Sequence, residues 1–197
     1  MSQWRLGIIG GSGLYDIPGL VDARWEMVES PGGAASDAVL RGRLGGVDLC
    51  FLPRHGRGHP IPPEAINARA NIDVLKRLGC TDVLAISAVG SLGEQIAPGD
   101  FVVVDQFIDR TDARARSFFG SGLVAHVPMA DPVCPRLAGL AGAALAAVGA
   151  RAHADGCYLA MAGPSFSTRA ESRLYRQWGA HVIGMTGMPE ARLAREA

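Results

Sequence analysis

Residues 6–13 read LGIIGGSG, and this stretch decides the fold class. Its apolar half, residues 6–9, predicts a short strand, and the glycines that follow predict a loop at the strand's carboxyl end. Residues 83–86 and 101–104 are further short apolar runs, the first uninterrupted as in a strand buried on both faces. Because such strands alternate with longer helical patterns, the sequence predicts a doubly wound α/β fold with a mixed, mostly parallel central sheet flanked by helices.

The other predicted elements come from hydrophobic periodicity and turn residues. Residues 39–44 and 47–52 predict two strands joined by a turn at Gly45-Gly46, and residues 182–183 predict a short strand. Helices are predicted at residues 63–78, at residues 135–148, from the capping box at residues 168–171 to Gly179, and from Pro189 onward.

The composition suits one globular domain spanning residues 1–197, since 48% of the residues are hydrophobic and 19% are charged. A formal net charge of +0 gives no overall field that would attract nucleic acid or an acidic membrane, so neither partner is expected. The sequence opens without a signal peptide and has no apolar run of membrane-spanning length, which indicates a cytoplasmic protein. The last helical pattern is still running at Ala197, so we expect the domain to be incomplete at its C-terminal end.

The loop at residues 10–13 (GGSG) is the first of four strand ends that can hold an anion. Glycines allow backbone N–H groups to turn toward an anion, and the hydroxyl of Ser12 adds a donor. The loop is not a Rossmann fingerprint, because Asp16 stands at the third glycine position, and it is not a P-loop, because no Gly-Lys-Ser/Thr follows. A plain tight turn is the alternative.

Residues 54–59 (RHGRGH) form the most unusual segment of the chain and follow the strand at residues 47–52. Arg54 can offer a forked pair of N–H donors to phosphate oxygens, and His55 can donate to an oxyanion or to a sugar hydroxyl. Metal ligation by the histidines would need carboxylate or cysteine companions, which are missing nearby. A solvated loop is the remaining alternative.

Two further strand ends carry small or hydroxylated residues. Residues 87–91 (SAVGS) follow the strand at residues 83–86, where small residues let backbone amides approach a ligand, although an ordinary loop exit is possible. Thr186 precedes the last helix, where its hydroxyl and the free N–H groups favour an anion or provide routine N-capping. Since no P-loop lysine or nicotinamide fingerprint accompanies them, the four strand ends indicate phosphate as a reactant.

Two residues elsewhere are candidates for contacts with the rest of a ligand. Phe166 lies just before a predicted helix and could stack on a planar base, or pack on that helix as a hydrophobic staple. His126 stands alone before Val127, and a lone histidine is more often structural.

Taken in order, these segments resemble the trimeric purine nucleoside phosphorylases, and most closely their methylthioadenosine phosphorylase branch. The matching segments are GIIGGSGL (7–14), RHG (54–56), GSL (90–92), PGD (98–100), DQFIDRT (105–111), GPSFSTRAES (163–172) and GMTGMPEARLA (184–194). They run over essentially the whole chain, and DQFIDRT together with GPSFSTRAES is very specific.

The resemblance implies a nucleoside phosphorylase-like fold and a homotrimer. It also implies phosphorolysis of 5′-methylthioadenosine to adenine and 5-methylthioribose 1-phosphate, in purine and methionine salvage. Inorganic phosphate would be the co-substrate, with no metal or organic cofactor.

The resemblance also implies a role for each candidate residue. Phosphate would be bound by Ser12, Arg54, His55, Ser87, Ala88 and Thr186, of which Arg54, His55 and Thr186 would position it as the catalytic residues. The nucleoside would be contacted by Met185, Phe166, Ser167, Ala88, Gly90, His59 and His126. His126 would reach the site of a neighbouring subunit, and the acid that protonates the purine is expected beyond Ala197.

Three alternatives remain open at the level of sequence, one of them a nucleosidase that uses water in place of phosphate. Residues 185–189 (MTGMP) also resemble methylthioinosine phosphorylases, so a methylthioinosine or general 6-oxopurine nucleoside phosphorylase is the alternative within the class. Ser167, which stands where the 6-oxopurine branch usually carries a glutamate, favours the 6-aminopurine branch. A non-catalytic phosphate- or nucleoside-binding fragment is the alternative outside the class.

Overall fold

The structure is a computed structural model that describes residues 4–11 and 14–197. Its contacts divide the chain into two compact units. Unit 1 comprises Met1–Ser87, Ala115–Phe118 and Glu196–Ala197, and unit 2 comprises Ala88–Arg114 and Phe119–Arg195. That residues 1–197 form a single domain stays a prediction.

The secondary structure follows the alternation that the sequence predicts. The strands are β1 (Arg5–Gly10), β2 (Val21–Glu26), β3 (Val39–Leu44), β4 (Val47–Pro53), β5 (Asp82–Ala85), β6 (Gly90–Ser91), β7 (Phe101–Arg110), β8 (Ala152–Met161) and β9 (Val182–Gly184). The α-helices are α1 (Ala68–Arg77), α2 (Pro135–Ala147), α3 (Arg169–Gln177) and α4 (Gly187–Glu196). Throughout the described ranges, no helix is long and apolar enough to cross a membrane.

Unit 1 contains a five-stranded sheet in the order β2-β3-β4-β1-β5. Strand β1 runs parallel to β4 and to β5, whereas β3 runs antiparallel to β2 and to β4. The strand pair predicted at residues 39–44 and 47–52 is therefore confirmed. The sequence correctly predicts β5, but the prediction that it is buried on both faces is wrong. It lies at the edge of this sheet, and its residues are half-buried or exposed.

Helix α1 begins later than its sequence predicts. Residues Pro63–Ala65 form a short 3-10 turn, and Ile66 is extended. The side chain of Asn67 then accepts a hydrogen bond from the backbone N–H of Ala70 at 3.2 Å, which is the usual way to satisfy a free donor at a helix start. From there one side of the helix faces the core, since Ala70 and Val74 are fully buried.

Unit 2 contains a four-stranded sheet in the order β6-β9-β8-β7, with β7, β8 and β9 parallel. Side chains of β8 alternate between its faces, as the period of a strand requires. Tyr158 and Ala160 pack in one cluster with Met188 of α4, and Leu159 packs in another with Tyr175 of α3. Helices therefore cover both faces of β8, and the predicted α/β class with mixed, mostly parallel pairing is confirmed.

The beginnings of the last two helices agree with their sequence signals. In α3, Thr168 accepts from the N–H of Glu171 at 3.2 Å, and the Glu171 carboxylate accepts from the N–H of Thr168 at 2.7 Å, so the predicted capping box is confirmed. In α4, Met188 has extended torsions, as expected for a residue before proline. The uninterrupted helix thus begins at Pro189, as predicted.

Candidate active site

Arg54 lies where three strand ends of unit 1 meet. Its backbone N–H donates to the carbonyl of Gly10 at 2.9 Å. Its guanidinium donates through Nη1 to the carbonyl of Ile86 at 2.7 Å and through Nη2 to the carbonyl of Ile9 at 3.2 Å. Because β4, β1 and β5 are parallel neighbours, their carboxyl ends lie at one edge of the sheet. Arg54 therefore joins the starts of the three loops that were predicted to hold an anion.

The burial of Arg54 gives this edge a fixed positive charge. The residue is 1% exposed, and a guanidinium stays protonated in proteins. Ser87 is exposed. It directly follows Ile86, whose carbonyl accepts a hydrogen bond from Arg54. Ser12 lies outside the described residues. The structure thus brings Arg54 and the Ser87 loop together, and the binding role of each stays a prediction.

His55 is 8% exposed and has a defined orientation. Its Nδ1 lies 2.8 Å from the carbonyl oxygen of Ile61, and its ring stacks on that of His59 with centroids 4.0 Å apart. A carbonyl oxygen only accepts, so this contact places the proton on Nδ1 and makes Nε2 the acceptor in the neutral ring. The exposed His59 takes a left-handed φ of 61°, which turns the chain at this point.

The second arginine of residues 54–59, Arg57, forms an ion pair instead of binding strand-end carbonyls. Arg57 pairs with Asp37 through Nη2 at 2.9 Å and Nε at 3.0 Å, and its guanidinium lies 4.2 Å from the centre of the Trp25 ring. The hydroxyl of Tyr15 donates to the carbonyl of Gly56 at 3.0 Å. Arg54 and His55 are buried, so the solvated-loop alternative does not describe their half of the segment.

In unit 2, Thr186 is 8% exposed and lies just before α4. The N–H groups of Thr186 and Gly187 both point to the hydroxyl oxygen of Tyr158, each at 3.3 Å. These donors were predicted from sequence to be free for an anion, whereas in this structure the phenol oxygen accepts from both. Tyr158 was missed because it lies inside β8, and the one available signal was that a buried tyrosine needs a partner for its hydroxyl.

The loop of Phe166 and Ser167 reaches Met185 through Gly163. Gly163 has a φ of 78°, and a Cβ there would lie 2.6 Å from the sulfur of Met185, so the close approach requires glycine. The hydroxyls of Ser167 and Ser172 are 2.8 Å apart. Phe166 is 88% exposed, which excludes the hydrophobic-staple alternative for this chain.

The motif at residues 105–111 connects the end of β7 to the helix that follows Thr186. Asp109 accepts from the hydroxyl of Thr111 at 2.6 Å and from its N–H at 3.0 Å. The same carboxylate lies 3.4 Å from Nη2 of Arg192. The end of β7 is thereby tied to α4, the helix that follows Thr186.

The remaining candidates lie at exposed positions of unit 2. Gly90 pairs with Ile183 across β6 and β9, which places it beside the strand that leads to Met185. Ala88 and His126 are exposed, and their predicted contacts stay predictions. Over residues 4–11 and 14–197, no group of three or more His, Cys, Asp or Glu could hold a metal ion.

The fold and these motifs define a class of protein. The sequence model of the Phosphorylase superfamily matches residues 5–197, and the chain belongs to this superfamily.

Particular relatives then agree with the resemblance that the motifs suggested. The chain is 62% identical over 192 residues to S-methyl-5′-thioadenosine phosphorylase of Cereibacter sphaeroides, covering 98% of this chain and 66% of the relative. It is also 62% identical over 192 residues to the protein of that name from Rhodospirillum rubrum, with coverages of 98% and 65%. The chain thus spans about two thirds of the length of these curated relatives.

Solved structures show the same likeness in three dimensions. A methylthioadenosine phosphorylase from an antarctic soil metagenomic library superposes with a TM-score of 0.94 at 47% identity, covering 98% of this chain and 69% of that one. Methylthioadenosine phosphorylase from Schistosoma mansoni in complex with adenine superposes with a TM-score of 0.93 at 39% identity, with coverages of 98% and 77%. The predicted resemblance to methylthioadenosine phosphorylases is confirmed.

Proposed function

We propose that this chain binds inorganic phosphate and 5′-methylthioadenosine for phosphorolysis, in which phosphate attacks C1′ of the nucleoside and adenine leaves. The observation that carries the proposal is the buried guanidinium of Arg54, held between the carboxyl ends of β1 and β5. The names of the relatives support the nucleoside, and the adenine complex of the Schistosoma mansoni protein supports the base.

The chemistry follows from how charge moves as the glycosidic bond breaks. Positive charge develops on the sugar ring while negative charge develops on the purine. A phosphate dianion held by Arg54, by Thr186 and by the protonated ring of His55, in which Nε2 is also a donor, would be the nucleophile and the electrostatic partner of the sugar cation. Met185 would lie against the sugar, with Phe166 and Ser167 at the base. Hydrogen bonding or protonation at the purine would assist its departure.

A kinetic experiment tests the proposal directly. Release of adenine from methylthioadenosine should require phosphate and produce one sugar phosphate for each adenine. Release that is independent of phosphate would instead indicate a nucleosidase and would overturn the proposal. Methylthioinosine, offered in parallel, should be the poorer substrate, whereas a preference for it would place the chain in the 6-oxopurine branch.

The role of Arg54 is tested by Arg54→Lys with Arg57→Lys as the matched control. Lysine keeps the charge but loses the planar fork, so Arg54→Lys should raise the Michaelis constant for phosphate by roughly tenfold or more. Arg57 pairs with Asp37, so Arg57→Lys should leave phosphate saturation unchanged. Equal phosphate saturation in the wild type and both variants would remove Arg54 from the phosphate site.

A further inference from the structure

Arg114 holds two separate loops of unit 2 at once. Its Nη1 donates to the carbonyl of Met185 at 2.5 Å and to the carbonyl of Met188 at 2.8 Å. Its Nη2 donates to the carbonyl of Ala162 at 2.8 Å. Ala162 opens the loop that leads to Phe166, and Met185 opens the loop that contains Thr186. One half-buried side chain therefore sets the spacing between the two loops.

In the loop that begins at Met185, side chains form hydrogen bonds both with backbone carbonyl groups and with backbone N–H groups. Arg114 satisfies the carbonyls of Met185 and Met188, and the hydroxyl of Tyr158 accepts from the N–H groups of Thr186 and Gly187. A short segment fixed in this way has little freedom to rotate its peptide planes. The direction of Met185 and Thr186 is then set by Arg114 and Tyr158 rather than by the loop's own sequence.

We propose that Arg114 is a positioning residue for the reaction, keeping Met185 and Thr186 at the correct distance from the loop of Phe166 and Ser167. This proposal rests on the proposed function, since it assigns a consequence to the two loops that would hold phosphate, sugar and base. Arg114 itself acts through backbone carbonyls and is not a catalytic residue. An arginine suits this role because its planar fork can reach several oxygens in fixed directions, which a lysine ammonium cannot do.

If Arg114 only stabilised the fold, its variants would show different kinetics from those expected for a positioning residue. A variant that merely unfolds part of the population lowers the maximal rate in proportion and leaves the Michaelis constants of the folded molecules unchanged. Loss of position changes the site in molecules that are still folded. It should therefore raise the Michaelis constant for phosphate and lower kcat in the folded fraction.

The test compares Arg114→Lys and Arg114→Gln with the wild type in the full chain. Arg195→Lys is the matched control, because Arg195 is exposed and its Nε contacts one carbonyl, that of Pro128, at 3.4 Å. We expect Arg114→Lys to raise the Michaelis constant for phosphate roughly tenfold and to lower kcat, with near-native circular dichroism. The control should match the wild type in both constants. Unchanged Michaelis constants in both Arg114 variants would overturn the proposal.

A second measurement separates this proposal from the proposed function. If the wild type does not turn over methylthioadenosine, the proposed function fails, and phosphate binding by calorimetry then tests Arg114 by itself. Weaker phosphate binding by Arg114→Lys than by the wild type and Arg195→Lys would support positioning. Equal binding by all three proteins, or no phosphate binding by the wild type, would overturn it.

Discussion

Gly184 makes room for the tyrosine that holds the start of α4. A Cβ at this position would lie 2.1 Å from the hydroxyl oxygen of Tyr158 and 2.7 Å from the ring carbon that bears it. Tyr158 is 4% exposed and packs in the core, so it cannot easily move away. The glycine is therefore required by a neighbouring side chain, which the sequence pattern alone does not reveal.

Gly184→Ala should destabilise the protein by about 1–3 kcal/mol, because the added methyl group overpacks a dense site. Gly139→Ala is the control, since Gly139 lies within α2 and a Cβ there would meet nothing within 4 Å. Alanine in a helix is favoured over glycine by roughly 0.5–1 kcal/mol, so the control should be slightly stabilising. Urea unfolding of the three proteins measures both changes, and equal midpoints would contradict the packing argument.

Residue types at strand ends could be predicted from sequence because they break an apolar pattern. Arg54 and His55 stand out between Pro53 and Gly56 for this reason, and the structure brings Arg54 to the end of β5 as parallel strands require. Tyr158 and Arg114 could not be predicted, because one lies inside a strand and the other lies just past a motif. Their partners are backbone groups far away in the chain, and no local pattern encodes such contacts.

At the scale of elements, the starts of α2, α3 and α4 were predictable, whereas the start of α1 and the long strand β8 were not. The capping box of α3 is a local arrangement of Thr168 and Glu171, so it can be seen in the sequence. Strand β8 has polar or small residues in its first half, including Asp155 and Gly156, and therefore lacks an apolar run. Its pairing with β7 and β9 places it in the sheet, which is a non-local effect.

Thr168→Ala should cost about 1 kcal/mol of stability, because the N–H of Glu171 loses its acceptor at the start of α3. Thr168→Ser keeps a hydroxyl oxygen in place and should retain most of that stability. Thermal unfolding of the two variants beside the wild type gives the comparison. A loss of the same size in both variants would show that the methyl group of Thr168, rather than its hydroxyl, matters here.

The turn before β7 carries a carboxylate whose titration should affect stability. The pKa of Asp100 lies below its ordinary value of 3.8, mainly because His153 donates a hydrogen bond to the carboxylate at 2.8 Å. The N–H of Ala97, at 2.9 Å, and the charge of Arg151, at 3.3 Å, lower the pKa further. A depressed pKa means that the folded state prefers the ionised carboxylate. Its contribution to stability is present above pH 3.8 and is lost as the pH falls through the lower pKa of the folded state.

Asp100→Asn should therefore destabilise the protein near neutral pH, with a difference from the wild type that shrinks below about pH 3.8. Denaturant midpoints measured over a pH series test this expectation. Asp131→Asn, which removes a carboxylate at an exposed position, is the control and should destabilise the protein less near neutral pH. A constant difference between wild type and Asp100→Asn down to strongly acid pH would count against the assigned role.

On the scale of the whole molecule, charge and surface composition act together. The 19 basic and 19 acidic residues cancel, and the isoelectric point is about 7.0. Helix α2 has no buried residues, and it leaves Leu140 50% exposed, with Val148 at its end 78% exposed. A protein without net charge lacks the mutual repulsion that keeps apolar surfaces apart.

Self-association should accordingly be strongest close to pH 7 and weaker at roughly pH 8.5, where the chain carries net negative charge. Light scattering at low ionic strength over this pH range provides the measurement. Val148→Lys removes an exposed apolar group and adds a charge at a helix C-terminus, so it should reduce scattering at pH 7. Scattering that does not depend on pH, and that this variant does not change, would show that net charge is not the controlling factor.

Arg54 also affects how this protein can tolerate mutation over evolutionary time. Many functional residues are costly to the fold, so a lineage that abandons the function gains stability by replacing them. Arg54 differs from such residues, because its guanidinium donates both to the carbonyl of Ile9 and to that of Ile86, so a replacement that cannot reach both loses a link between the ends of β1 and β5. Selection for folding alone would thus favour keeping the arginine, and its survival in a descendant would be no proof that the chemistry had survived.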